Sequence, residues 1–187
     1  MRIDDLSLLG WNHTFLCAVA LIVGAMQLHG EKGTPAHAVR GTVYFLSMVA
    51  ANTTALFIFG GEDLLFRHGR PPVIGTGFGF FHWLALVTLA LTLLGRLAAS
   101  LQRIGFFAYA HPIFMILSYW ILVGGAVNEA FVRINWVRRA ALAISPGARS
   151  VAGYKLLYLV YFALDVAILA LLLTAIVQVR RFRRQSA

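Results

Sequence analysis

The stretch YLVYFALDVAILALLL, residues 158–173, decides the fold. Apart from Asp165 and its tyrosines it is unbroken apolar side chain, and the apolar run extends far enough on both sides to cross the ~30 Å hydrocarbon core of a bilayer as a helix. The same character recurs along the 187 residues: 60% are hydrophobic, 12% are charged, and the mean hydropathy is +0.79. Soluble domains mix apolar and charged residues more evenly. The chain is therefore read as one all-α, polytopic membrane helix bundle over residues 1–187, ending in a basic tail at 180–187.

Five segments are apolar over about 20 residues and are expected to span: 11–28, 38–59, 77–100, 112–131 and 154–179. The first is expected to be a retained helix, because the start lacks a basic region and a small-residue cleavage site. Thr34 and Pro35 carry a cap and a first-turn proline for the second span, and Pro112 is expected to open the fourth. RINWVRRAALAISPG reads as a short interfacial amphipathic helix bearing Trp136, Arg138 and Arg139. The connection after the second span holds His68, read as solvated, and GTGFG, where Gly75 and Gly79 have the spacing of a close helix contact.

The formal net charge of +9 comes mostly from arginines scattered between apolar runs, with one cluster, RRFRRQSA, at the end. That distribution suits anionic lipid headgroups and excludes nucleic acid as the partner. Lys32, Arg40, Arg96, Arg103 and the tail arginines fall on one side of the membrane. Arg2, Arg67, Arg70, Arg133, Arg138, Arg139, Arg149 and Lys155 fall on the other, an even split. The dense tail favours a cytoplasmic C-terminus, as expected in a bacterial inner membrane. Cys17 is the one cysteine, so no intrachain disulfide or multi-cysteine metal site exists.

The few polar residues then carry the functional reading. Tyr154, Tyr158, Tyr161 and Asp165 are spaced to share one helical stripe. A carboxylate at mid-membrane is costly, so Asp165 is expected to face the bundle, with Asn52, Thr53, Thr54, Ser118 and Tyr119 at similar depth. It is either a packing hydrogen bond or a proton-carrying acid fed by the tyrosines. His29 ends the first span, while His37 and His111 are expected in or beside the first turns of the second and fourth, so topology gathers all three at one interface. A helix N-terminus favours neutral imidazole, the form that ligates metal or haem iron. Arg96 lies at the same end, where it snorkels to headgroups or grips a propionate or other anion. At the opposite end His13, Cys17, His82 and Glu129 form a weaker grouping. Sequon-like NHT and NTT lie at or inside spans and are taken as accidental.

HAVRGTVY sets His37, Gly41 and Tyr44 in a His-x3-Gly-x2-Tyr pattern, and HPIFMILSY sets His111, Met115, Ser118 and Tyr119 in a His-x3-Met-x2-Ser-Tyr pattern, with Arg133 beyond. In this order the two motifs resemble those of bacterial membrane proteins grouped as domain-of-unknown-function family 2306. The resemblance covers roughly residues 29–133. It departs where Ala38 and Leu117 stand in place of arginines, and it implies importance for His37 and His111 without naming a reaction.

Three functions are open at this point. The first is a redox or electron-transfer protein in which His37 and His111, with His29 as alternate and Arg96 nearby, hold haem b or a transition metal. The second is a proton-coupled transporter or channel using Asp165, Tyr161, Tyr158 and Asn52. The third is a non-catalytic accessory subunit of a membrane complex, or a homo-oligomer. A hydrolase is disfavoured because neither a Gly-x-Ser-x-Gly elbow nor a His-Glu-x-x-His helix is present.

Overall fold

The computed structural model describes residues 8–58, 80–101, 105–146 and 154–185, and these residues are all-α. Six helices follow one another: α1 (Leu8–His29), α2 (Pro35–Leu56), α3 (Phe80–Ser100), α4 (Gly105–Arg133), α5 (Asn135–Ile144) and α6 (Lys155–Gln185). Arg2, His68, the Gly75–Gly79 spacing, Arg103, Arg149 and the last two residues lie outside the described residues.

Four helices, α1, α3, α4 and α6, are long and apolar enough to cross a membrane. α2 equals α1 in length at 22 residues, roughly 33 Å at 1.5 Å per residue, yet falls short of the same apolarity. His37, Arg40, Thr42, Ser47, Asn52, Thr53 and Thr54 account for the difference. The expected count of five spans is thus four apolar helices plus one long polar one.

α1 packs on α2, α2 on α3 and α3 on α4, and a light α1–α4 contact brings the ends of this up-and-down series together. Small residues let the backbones approach, since apolar packing in lipid gains little from hydrophobicity and depends on close contact. Ala20 is fully buried against Tyr44 and Met48, with Val23, Met115, Tyr119 and Leu122 around them. A β-carbon on Gly95 would lie 2.6 Å from the Met115 sulfur, so glycine there lets α3 meet α4. α6 stands outside this group on α4. A second cluster of Phe131, Ala141, Tyr154 and Leu157 ties α4, α5 and the start of α6 together.

The caps show why α2 begins where it does. The Thr34 hydroxyl accepts from the His37 amide at 3.1 Å, and Pro35 occupies the first turn, where its missing N–H has no partner to lose. Pro112 behaves differently from expectation. It lies inside α4, two turns beyond the start at Gly105, so His111 is not in a first turn. The apolar run of Phe106, Phe107 and Tyr109 continues the helix upstream, and the cost of the proline is confined to one lost backbone hydrogen bond and local crowding. The N-terminal dipole argument therefore holds for His37 alone.

α5 is the short helix expected after α4. Trp136 is 73% exposed, Arg138 and Arg139 are exposed, and Ala141 is fully buried, giving two unlike faces. α6 runs on through the arginine-rich segment to Gln185, so most of the basic tail is helical.

Asp165 requires a correction. It is exposed on α6 instead of facing the bundle, and it makes no hydrogen bond or ion pair among the described residues. Among the described residues α6 packs on α4 and lightly on α5, which covers a narrow stripe. Leu157, Tyr161, Leu164 and Ile168 occupy that side, and Tyr161 donates to the Gly124 carbonyl at 3.0 Å. Tyr158 is 62% exposed, and Asn52 donates to its own helix at Met48 O, 2.7 Å away. Among the described residues Asp165, Tyr161 and Asn52 are thus not joined into one path. Helical spacing put the stripe in register, but α6 packs on α4 along one side with only a light contact from α5, which left its flank outside.

Candidate functional site

One group of polar residues, drawn from α1, α2 and α4, gathers at the end where α1 finishes and α2 starts. Gln27 is the organiser. Its amide nitrogen lies 3.0 Å from the His37 carbonyl oxygen and 3.2 Å from His37 Nε2, while its amide oxygen accepts from Arg40 Nε at 3.4 Å. Flipping the amide would set oxygen against the His37 carbonyl and N–H against the Arg40 N–H, both repulsive, so this orientation is assigned from the network.

That assignment sets the His37 tautomer. Gln27 spends its two N–H groups on the carbonyl and on Nε2, so Nε2 accepts and the neutral ring carries its proton on Nδ1. Nδ1 is buried and has no hydrogen-bond partner among the described residues. A buried donor left unpaired is costly and marks a place where an acceptor belongs.

His111 is held the opposite way. Its Nδ1 lies 2.8 Å from the Gly95 carbonyl, which can only accept, so Nδ1 donates and Nε2 keeps its lone pair. The two imidazoles lie within electrostatic range of each other. One ring contributes an N–H donor and the other an acceptor.

Cations surround the pair. Lys32 and Arg40 act on His37, and Arg96 acts on His111. Lys32 donates to the Leu28 carbonyl at 3.0 Å and to the Gln27 carbonyl, capping the last turn of α1. Burial, and then the Arg40 guanidinium beside it, hold the Lys32 ammonium below the usual lysine value. Glu31, exposed in the connection, is the one carboxylate at this end among the described residues, and it forms no ion pair with these cations.

Beneath the histidines lies the contact between the two sequence motifs. Ser118 donates to Met115 O at 2.9 Å, so its oxygen is the acceptor for the Tyr44 hydroxyl at 3.0 Å. Tyr119 donates to Leu21 O at 3.1 Å, and its ring centre lies 6.3 Å from that of Tyr44. His37, Gly41 and Tyr44 on α2 thus line up with His111, Met115, Ser118 and Tyr119 on α4. Ser118→Ala removes the acceptor and strands a buried phenol. It should cost about 1 kcal/mol, read as a lowered thermal midpoint in detergent, with Tyr44→Phe in the same background recovering most of it.

The sequence-derived candidates fare unequally. His37, His111 and, at the exposed rim, Arg96 are brought to one end; His29 is exposed there and makes no hydrogen bond among the described residues. Among the described residues no group of three or more His, Cys, Asp or Glu is placed to hold a metal. The His37 Nε2 lone pair is engaged by Gln27, so the pair supplies one free ligand atom, His111 Nε2. At the other end His13 donates from Nδ1 to Ala51 O at 2.9 Å, which leaves its Nε2 to accept the Cys17 thiol at 3.5 Å. That arrangement ties α1 to α2. Glu129 is taken by Arg133 one turn on.

Gln27 is the residue that sequence reasoning missed. Its signal was present: Ala20, Gly24 and Gln27, spaced by four and three, mark one face of α1, and the first two are buried. Arg40 counted only as a loop charge until Gln27 placed it. Compared with protein families, curated proteins and solved structures, the chain matches none.

Proposed function

We propose that the chain is an integral membrane protein of five spans, α2 being the polar one, which binds the anionic oxygen head of a membrane-soluble molecule between His37 and His111. The observation that carries this reading is the buried, unpartnered Nδ1–H of His37 facing a neighbourhood of cations without a paired carboxylate. An anionic oxygen accepts from His37, an adjacent hydroxyl donates to the lone pair of His111, and Arg40 and Arg96 supply the countercharge. With the arginine-rich end of α6 in the cytoplasm, this site lies at the cytoplasmic leaflet, where acidic headgroups are found.

The test uses the full chain in nanodiscs of zwitterionic lipid, with nitrogen NMR of the histidine rings. In one arm phosphatidylglycerol is added to the disc, and in the other inorganic phosphate to the solution. The His37 resonance should start as the Nδ1-protonated tautomer and move on addition of the anion. Movement with lipid alone identifies a headgroup, and movement with phosphate alone a free anion. No movement in either arm, or an Nε2-protonated starting state, overturns the reading.

The same tautomer argument bears on haem. Axial ligation by both histidines needs a free lone pair on each ring, and His37 lacks one while Gln27 is in place. Protein purified after haem-supplemented expression should therefore show no Soret band. A band that depends on both His37 and His111, lost or shifted in His37→Ala and in His111→Ala, would point to bis-histidine haem instead.

A further inference from the structure

We propose that α6 is a docking helix, and that a transmembrane helix of a partner polypeptide bearing a lysine or arginine at mid-bilayer depth packs on its outer face, the cation pairing with Asp165. The proposal is independent of the His37 site. Among the described residues, only 6% of those in the apolar stretch of α6 are buried, compared with 17–28% in the other three apolar helices. Its exposed face holds Tyr158, Phe162, Asp165, Leu169 and Leu173, spaced by four, three, four and four, the register of a helix-packing seam.

Asp165 lies at the centre of that seam. Tyr161 reaches the Gly124 carbonyl, which makes Asp165, one turn further, level with the region of Trp120 in the middle of α4. An ionisable group at this depth is expensive in lipid and is paired in stable assemblies. Among the described residues no hydrogen bond or ion pair reaches it.

Charge complementarity selects the occupant. Among the described residues α1 has no Lys or Arg, α4 has none before Arg133, α2 carries only Arg40 near its start, and α3 only Arg96 near its end. A second copy inserted the same way would bring acid against acid at this level. A different span with one central cation satisfies the carboxylate and covers Tyr158, Phe162, Leu169 and Leu173 together.

The experiment measures energy transfer in liposomes between the labelled full chain and two synthetic spans of leucine and alanine, one with a central Arg and one with Leu in its place. The Arg span should associate at least about tenfold more tightly, in line with the coupling of desolvated charge pairs. Asp165→Leu should abolish the preference and Asp165→Glu should keep it. An unchanged thermal midpoint in Asp165→Leu shows that the bundle is intact. Equal association of the two spans, or a preference that survives Asp165→Leu, overturns the proposal. So does self-association of the wild-type chain that Asp165→Leu disperses and the Arg span does not compete with, since the occupant is then a second copy.

Discussion

Gly24→Leu is expected to destabilise the bundle by about 3 kcal/mol, the upper end of overpacking costs, because no room exists for any side chain at that point. A single β-carbon on Gly24 would lie 2.5 Å from the Tyr119 ring and 3.0 Å from the Tyr44 ring. Neither ring can swing away cheaply. Tyr119 is tied to Leu21 O and Tyr44 to Ser118, so yielding breaks one of two hydrogen bonds that join α1 to α4 and α2 to α4. The measurement is thermal unfolding of the purified chain in detergent, where the midpoint should fall by roughly 6–12 °C. Gly125→Leu is the matched control: nothing lies within 4 Å of a β-carbon there, and it should leave the midpoint nearly unchanged.

His37→Ala should weaken binding of the anionic probe by about 10–100-fold. The basis is the loss of one hydrogen bond to a charged acceptor, about 1.5–3 kcal/mol, from a site where water does not replace it. His29→Ala, at the same end but exposed, should leave the affinity as it was. Gln27→Leu tests the tautomer separately. With the amide gone, His37 Nε2 is free to carry the proton, so the ring loses its fixed donor and affinity should fall by less than in His37→Ala. Binding that is indifferent to both substitutions would place the anion elsewhere.

Both predictions concern packing and hydrogen bonds that no single stretch of sequence contains. The histidine end was nevertheless partly legible. Reversal of direction at each span brings the end of α1 and the start of α2 to one interface with the start of α4, and the Thr34–Pro35 cap places His37 to within a residue. The tautomer was not legible, because it depends on an amide thirteen residues from Arg40 and ten from His37 reaching both at once. The start of α4 was misplaced for a related reason. Proline is favoured in a first turn, but it is tolerated inside a long apolar helix whose remaining backbone bonds hold.

Asp165 shows the same division in sharper form. Its depth and its alignment with Tyr154, Tyr158 and Tyr161 follow from a rise of 1.5 Å and a turn of 3.6 residues, properties of any helix. Whether that stripe meets protein or lipid depends on how many neighbours α6 acquires, and among the described residues these are α4 and, lightly, α5. By itself, then, the sequence determined that the chain is helical and membrane-bound, where most helices lie, and which few residues are polar. These are consequences of local periodicity and of the energy of apolar groups in water. Tertiary structure alone decided which polar groups meet, which way His13, His37 and His111 hold their protons, and that Asp165 faces out, because these depend on which helix sides become neighbours.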